Sequence, residues 1–396
     1  MKTVYNNLYF FLMGLLVFSP LSSTIAIKYW EFPLSLPELF FIPFLFFNKQ
    51  KIRSVKAKTS DVALVSIVVS LLVLVGLLYG EFPLFSMLSS ARSWLYLFLC
   101  IRFFSRANLI TNEDLLWLAF GSMVAWLADS LLNFQKLLFT AASHEFVATY
   151  GLMLSVPIFF SVALYRRNYK LLLLGLSVIV MTMLFAGIRR LMAVFVISLF
   201  AVFVLSLQRV KKNFSSYFIL GSFLIVLFFA GMPVLRDYLY EKSPGMYYRI
   251  FTRNDEFLES RSLNSSDQVR SQHFTDLVNN FFDYTIPRGM VSVRTSEDSS
   301  TGIFNDFPLL QFFWIFGWPI TICLLIYTTN LFLKNLSKYR INKDETSMLT
   351  VNCFIVMFTL LFLEGTFIEY PYATPITGLL FGRMLYNVRG KRLSRV

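Results

Sequence analysis

Arginine side chains that suit the binding of an anionic group occur at three places in the chain. Arg189 and Arg190 are adjacent and lie between two apolar stretches. Arg270 and Arg288 lie in the longest polar segment, which also contains His273. A guanidinium group keeps its charge and donates paired hydrogen bonds to an oxyanion. The chemistry that these residues offer is recognition of a negatively charged group.

Other chemistries have few of the residues they need. The chain contains only two histidines, His144 and His273, and no Cys/His spacing typical of a metal site. It also lacks a Gly-rich phosphate loop, so neither a zinc hydrolase nor an ATP-driven pump is indicated, and we predict no metal and no cofactor. Cys100, Cys323 and Cys353 all fall in apolar stretches, so no external disulfide is expected.

Composition indicates which elements must position these arginines. Hydrophobic residues make up 56% of the chain and aromatic residues 18%, which is typical of an integral membrane protein. A bilayer-spanning helix needs about 20 mostly apolar residues. We predict an all-α polytopic membrane protein with about 12 transmembrane helices, the second of them rich in proline and kinked or interfacial. The predicted spans are approximately residues 8–27, 34–47, 62–79, 84–104, 115–134, 146–165, 171–188, 191–207, 217–235, 307–333, 347–363 and 372–388.

The distribution of lysine and arginine predicts the orientation. Taken alternately, one set of connections carries nearly all the basic residues of the short loops, and the other set holds only Lys28, Lys136 and the Arg189-Arg190 pair. Basic loops stay on the cytoplasmic side. Both termini are therefore predicted to be cytoplasmic and the long loop external. Basic loops that face anionic lipid account for most of the net charge of +13 without any nucleic-acid partner.

The long loop divides the chain into three parts: helices in residues 1–235, an external loop in 236–304, and helices with a cytoplasmic tail in 305–396. Within the loop, Ser265-Ser266-Asp267 is typical of a helix start. An amphipathic helix is predicted to follow, which would direct Arg270 and His273 towards the membrane surface, although Arg270 on its polar face could instead be solvated. Pro287-Arg288-Gly289 is expected to end this helix. Its apolar residues are Val269, Phe274, Leu277, Val278 and Phe281.

The Arg189-Arg190 pair and Arg92 have two interpretations each, and Arg383 has one. The Arg189-Arg190 turn is either a functional site or an anchor on lipid phosphate. Arg92 lies about eight residues, or roughly 12 Å, below the outer end of its span, where it needs a partner. Asp129 could supply one, either as a structural ion pair or in a substrate site. Arg383 is nearer the cytoplasmic end of its helix and is expected to reach towards that surface.

Taken together, these motifs resemble the O-antigen polymerase and O-antigen ligase superfamily of bacterial envelope glycosyltransferases. The resemblance covers the topology of the whole chain. Its motifs are Arg270 on an amphipathic helix, then Pro287-Arg288-Gly289, then Asp306 opening a span with Gly317 further along. The turn of residues 187–190 is similar to the family's Gly-Ser-Arg signature, with Ile188 in place of Ser. The ligase branch usually has a His-Asn pair where this chain has Asn305-Asp306, which favours the polymerase branch.

The resemblance implies a substrate, a location and roles for the residues. It implies transfer of a glycan from an undecaprenyl (polyprenyl) diphosphate carrier to a hydroxyl of another glycan, at the outer face of the bacterial inner membrane, without nucleotide sugar or metal. The diphosphate leaving group would be bound by arginine: Arg189, Arg190 and Arg270, with Arg288 in reserve. The resemblance leaves open a chain-length regulator protein as a further partner, besides membrane lipid.

The acceptor hydroxyl needs a general base, and Asp306 occupies the family position. Its alternative role is a helix cap before Pro308, and Glu364 and Glu369 are the other candidate carboxylates. Three other functions remain open: an O-antigen ligase, a lipid-linked oligosaccharide flippase or transporter, and a non-catalytic glycan-binding scaffold. A transporter should show repeated halves and intramembrane polar residues, and neither is clear in the sequence.

Overall fold

The fold was analysed on a computed structural model, which describes the chain in separate stretches. They are residues 2–17, 59–79, 84–106, 110–132, 149–186, 189–207, 233–234, 236–242, 247, 275, 278–279, 281–290, 308–363 and 374–393. Every regular element within these stretches is helical, which confirms the all-α prediction.

Ten α-helices and one short 3-10 turn make up most of the described part of the chain. The 3-10 turn, Phe281–Thr285, lies in the long loop, where residues 236–242 are also helical. The α-helices are α1 (Lys2–Val17), α2 (Thr59–Tyr79), α3 (Leu84–Phe104), α4 (Asn112–Leu132), α5 (Thr149–Tyr165), α6 (Tyr169–Ala186), α7 (Arg189–Leu207), α8 (Pro308–Asn342), α9 (Glu345–Leu363) and α10 (Thr374–Leu393).

Each of these α-helices overlaps a predicted apolar span. The largest difference is α8, which continues to Asn342 instead of ending near residue 333, because polar and aromatic residues on one of its faces are buried against other helices. Two stretches of the described helices, Val62–Tyr79 and Gln311–Asn342, are long and apolar enough to cross a membrane. The predicted span at 34–47, and that at 217–235 except residues 233–234, lie outside the described residues. The number of about twelve spans stays a prediction.

The helices pack as a bundle in which sequence neighbours are often not the main packing partners. α5 lies centrally, against α4, α7 and α9, whereas α1 packs chiefly on α4 and α3 chiefly on α10. Two glycines allow the last of these approaches. A Cβ at Gly378 of α10 would lie 2.7 Å from the Leu97 carbonyl oxygen of α3, and one at Gly382 would lie 3.0 Å from that of Ile101. The four-residue spacing of the two glycines therefore brings the α10 and α3 backbones together.

One end of the bundle is held by hydrogen-bonded helix starts, and we call it the polar end. α4 begins with a reciprocal capping box: the Asp114 N–H donates to Thr111 Oγ1 at 3.2 Å, and the Thr111 N–H donates to Asp114 Oδ2 at 2.8 Å. Asn6 of α1 donates to the same carboxylate. Asp344 caps α9 by accepting from the Ser347 N–H at 3.0 Å.

Arg166, just after α5, joins two of these helix starts. Its guanidinium contacts both oxygens of Glu345 at 3.1 and 3.2 Å and also donates to Glu113. Partial burial disfavours the charged form of Arg166, but the hydrogen bonds and attraction of the two carboxylates outweigh it, so the pKa of Arg166 is raised. The side chain is 36% exposed, so water screens these ion pairs.

These contacts place several chain segments at one end. The segments are the start of α1, the end of α5 and the starts of α4 and α9. The end of α10 joins them, since Asn387 donates to Ser347 Oγ at 3.0 Å. The end of α7 is near as well, since the Tyr339 hydroxyl donates to the Leu205 carbonyl at 2.7 Å. All belong to the set of connections predicted to be cytoplasmic, although the side of a membrane on which they lie stays a prediction.

Candidate functional site

The Pro287-Arg288-Gly289 motif lies between two helices, at the other end of the bundle. The Arg288 N–H donates to the Trp314 carbonyl of α8 at 2.9 Å, and the Met290 N–H donates to the Leu72 carbonyl of α2 at 3.0 Å. Residues 286–290 follow the 3-10 turn without helical structure, whereas most of the amphipathic helix that the motif was predicted to end lies outside the described residues. We call residues 281–290 with Trp314 and Trp318 the aromatic end.

The segment enters the bundle rather than lying on top of it. Leu72 is seven residues before the end of α2, and Trp314 is six residues after the start of α8. At 1.5 Å per helical residue, both contacts are about 10 Å below the helix ends. Met290 is fully buried there. The Pro287-Arg288-Gly289 motif therefore lies well below the ends of the two helices.

Two glycines with positive φ make this entry possible. Gly289 has φ +83° and contacts the backbone of Gly76 and the Leu72 carbonyl of α2, where a Cβ would collide. Gly317 has φ +73° and kinks α8, and a Cβ there would lie 2.6 Å from the Thr285 carbonyl oxygen. Only glycine adopts such φ values freely while leaving room for a second backbone.

The kink in α8 exposes backbone carbonyls that a buried hydroxyl then binds. Pro319 has no N–H and follows Gly317 closely. The Thr321 hydroxyl lies 2.9 Å from the Phe312 carbonyl oxygen and 2.9 Å from that of Gly317. It is 1% exposed. The Thr321 hydroxyl therefore stabilises the kink, and the 3-10 turn packs against it at Gly317.

Aromatic rings hold the segment in place. Phe281 stacks on Trp318 with ring centroids 5.2 Å apart and meets Phe313 edge-on at 6.1 Å. The Trp318 indole N–H donates to Thr285 Oγ1 at 3.0 Å. Tyr284 packs against Trp314 at 6.0 Å. The contacts are mainly between rings, with few hydrogen bonds.

Arg288 places a positive charge at this end. Its guanidinium carbon lies 4.7 Å from the Trp314 ring centroid and 5.4 Å from that of Tyr284. Such cation–π contacts orient the planar group and leave its charge intact. The side chain is half-buried. A rigidly oriented guanidinium beside two aromatic rings can bind an oxyanion and stack against a sugar ring.

Gln311 is a buried polar residue that the sequence did not indicate. It lies one helical turn before Trp314 and is 0% exposed, and among the described residues neither its amide nitrogen nor its amide oxygen has a hydrogen-bond partner. An unpaired buried amide costs about 1–3 kcal/mol. Nothing in the local pattern distinguishes it from an apolar core position, since it lies within an apolar helix.

The other predicted site residues are described only in part. Arg189 and Arg190 begin α7, at the end of that helix remote from Leu205 and the polar end, so their backbones belong with the Arg288 end of the bundle. Nothing is described of their side chains. Arg92 of α3 is half-buried, and the side chain of its predicted partner Asp129 lies outside the described residues. So do Arg270, His273, Asp306, Glu364 and Glu369, together with most of the predicted amphipathic helix.

Arg383 differs from its prediction. The sequence indicated that it reaches the cytoplasmic surface, but it is 4% exposed and donates from Nη2 to Asn112 Oδ1 at the start of α4. Nη1 is buried without a hydrogen-bond partner. The direction agrees with the prediction, since Asn112 lies at the polar end, but the expected surface position was wrong. Residues of α3, α4 and α9 pack around this part of α10, an arrangement that hydropathy along one helix does not contain.

A buried polar cluster inside the bundle was also missed. The Asn352 amide of α9 lies 3.0 Å from the hydroxyls of Ser161 and Ser198 and 3.2 Å from the Pro157 carbonyl oxygen. It links α9, α5 and α7, and it sits where Pro157 interrupts the α5 hydrogen bonds. Single polar residues in apolar helices were the available indication.

The described residues include no group of three or more His, Cys, Asp or Glu side chains that could hold a metal ion. Cys100, Cys323 and Cys353 are free, as predicted.

Comparison with protein-family models and with curated proteins finds no match for this chain. The resemblance to the O-antigen polymerase and ligase superfamily therefore stays a prediction.

Proposed function

We propose that this chain is a membrane glycan polymerase. It would transfer a glycan from a polyprenyl diphosphate carrier onto a hydroxyl of another lipid-linked repeat unit at the outer face of the inner membrane. The observation that carries this proposal is Arg288, oriented between Trp314 and Tyr284 at 4.7 and 5.4 Å in a segment that enters the bundle. The Arg288 guanidinium would bind the diphosphate, and the Trp314 and Tyr284 rings could stack on a sugar.

The chemistry assigns one role to each charged group. The acceptor hydroxyl oxygen forms a bond to the anomeric carbon, the bond from that carbon to the diphosphate oxygen breaks, and the hydroxyl proton passes to the Asp306 carboxylate. The diphosphate leaves with the bonding electron pair, and its charge is stabilised by arginine: Arg288, Arg270 and the Arg189-Arg190 pair. Asp306 precedes α8 by two residues, so the base and Arg288 belong to the same end of that helix.

The membrane arrangement is part of the same proposal. About twelve spans, both termini cytoplasmic, would place the polar end in the cytoplasm and the aromatic end outside. Reporter fusions after Asn213 and Lys343 should read as cytoplasmic, and fusions within residues 236–304 as external. A cytoplasmic reading from that loop would overturn the proposed function, since the lipid-linked repeat unit is polymerised outside.

A transporter or flippase is the second candidate, and buried Arg383 favours it. Among the described residues, no carboxylate lies within ion-pairing distance of this guanidinium, and such a buried charge in an apolar bundle is a common feature of transport pathways. The first candidate is preferred because Arg383 lies towards the polar end, whereas Arg288 lies beside the motif-bearing loop.

Reconstitution of the purified protein with lipid-linked repeat units separates the candidates. Chain growth without added nucleotide sugar or metal would support the polymerase. Transfer to lipid A core would indicate a ligase, and movement of the substrate across the bilayer without a new bond would indicate a flippase. If neither bond formation nor movement occurs but glycan binds, the chain is a scaffold and the proposed catalysis is wrong.

A further inference from the structure

A groove runs between α8 and α10 near the polar end, away from the candidate site. Its volume is about 410 Å³. The α8 wall is formed by residues at three- and four-residue spacing, including Tyr327, Leu331 and Lys334, so they share one helical face. Leu385 and Arg389 of α10 line the opposite wall. The groove extends for about 10 Å along α8, from Tyr327 to Lys334.

The groove has an apolar part and a basic end. Leu331 and Leu385 form the apolar walls, and the charged side chains of Lys334 and Arg389 form the basic end. No acidic side chain is among the described residues that line it. Lys338, one turn further along α8, is instead bound to the carbonyl and side-chain oxygens of Asn387. Lys334 and Arg389 therefore remain as the two cations that face the groove.

The exposed surface beside the groove is apolar. Ile326 is 64% exposed and Leu333 is 55% exposed on α8. A soluble anion such as free phosphate would contact the basic end of the groove but not its apolar walls. An amphiphile with an anionic head and an acyl chain matches both parts.

We propose that this groove binds an anionic phospholipid of the leaflet at the polar end. The phosphate group contacts Lys334 and Arg389, and an acyl chain lies along Leu331, Leu385 and Tyr327. The proposal rests on the membrane location contained in the proposed function, but not on glycan polymerisation. Under the predicted orientation this leaflet is cytoplasmic, where anionic lipids attract basic side chains.

The test uses the quenching that a tryptophan at the apolar end of the groove adds to that of the six native tryptophans, measured as the difference between the reporter protein and the unchanged protein. Tyr327→Trp is a conservative reporter, because Tyr327 is 52% exposed. The full-length reporter protein is placed in nanodiscs that contain phosphatidylglycerol or phosphatidylcholine with brominated acyl chains. Two cations are expected to give phosphatidylglycerol a preference of roughly tenfold to thirtyfold over phosphatidylcholine at this site.

Matched charge changes then locate the site. In the reporter background, Lys334→Gln/Arg389→Gln should remove the preference for phosphatidylglycerol. Arg340→Gln/Lys343→Gln removes two positive charges from the same end of α8 but not from the groove lining, and it should keep the preference. Equal quenching by both lipids in the reporter protein, or equal loss of preference in both double variants, would overturn the proposal.

The outcome also separates this proposal from the polymerase. Lipid preference without chain growth would leave the groove assignment standing and remove the catalytic one. A protein that does not remain in phosphatidylcholine nanodiscs would overturn both, because both require a membrane location.

Discussion

The two ends of the helix bundle are held by different interactions. At the polar end, helix starts are capped by Thr111, Asp114 and Asp344, and Arg166 joins two of them through carboxylates. At the aromatic end, ring contacts and two backbone hydrogen bonds hold residues 281–290, and the charged Arg288 lies over two rings. At the polar end, Arg166, Glu113 and Glu345 are bound to each other, which suits a structural role.

The difference between the polar end and the aromatic end indicates where function is expected. At the aromatic end, a loop motif is placed between helices and the polar amide of Gln311 is left without a partner. Stability alone does not favour such an arrangement, because an unpaired buried amide is costly. Substitutions that treat the two ends in the same way should therefore give different results.

The largest expected difference concerns two aspartates that precede helices. Asp306→Asn should lower the polymerisation rate by roughly 10²- to 10⁴-fold, because asparagine keeps the capping ability but cannot accept the acceptor proton. Asp344→Asn at the polar end, where the side chain is a cap, should leave the rate unchanged. Rates are measured with purified protein and lipid-linked repeat units. Activity of Asp306→Asn within a few-fold of the unchanged protein would assign it a capping role and direct attention to Glu364 and Glu369.

The second difference concerns arginines. Arg288→Ala should raise the substrate concentration needed for half-maximal rate by about 10- to 100-fold, the effect of losing one charge-assisted hydrogen bond. Arg288→Lys should recover only part of this, because an ammonium group is not planar. We expect Arg270→Lys to be impaired for the same reason. Arg166→Lys is the polar-end control and should be fully active, and equal impairment in all three lysine variants would show a general effect of charge geometry.

The third difference concerns the free energy of unfolding, which should change in opposite directions when two buried amides are replaced. Gln311→Met should raise the free energy of unfolding by about 1–2 kcal/mol, since an apolar side chain replaces an amide without a partner. Asn352→Leu should lower it by about 1–3 kcal/mol, since the amide is bonded to Ser161 and Ser198. Denaturant unfolding in detergent measures both. A loss of stability in Gln311→Met would mean that a bound water satisfies the amide.

The smallest expected effect is at the exposed ion pair. Arg166→Gln should lower the free energy of unfolding by about 0.2–1 kcal/mol, because water screens the pair, and the loss should shrink in high salt. A double-mutant cycle with Glu113→Gln isolates the interaction. The Arg166 side chain is 36% exposed. A coupling energy well above this range would show that water screens the ion pair less than this exposure suggests.

Local patterns predicted the helices well and the long-range contacts poorly. Apolar stretches located α3 and α7 closely, and Pro287-Arg288-Gly289 correctly indicated a chain break. The same patterns gave no sign that Gly289 contacts α2 near Gly76, more than two hundred positions away in the chain. They also directed Arg383 towards the surface, whereas the helices packed against α10 bury it. Periodicity reports which residues share a helix face, but not which helix covers that face.

The helical class of the described chain, the helix positions and the contrast between loops rich and poor in Lys and Arg follow from the sequence alone. Each of them depends on residue type and spacing along one segment. Only the tertiary structure decided that Arg288 is oriented by Trp314, that Gln311 is buried without a partner and that Lys334 faces a groove with Arg389. Each of these facts depends on a contact between segments far apart in the chain. Such contacts follow from how whole helix faces pack, and glycines at Gly289, Gly378 and Gly382 set how closely the backbones approach.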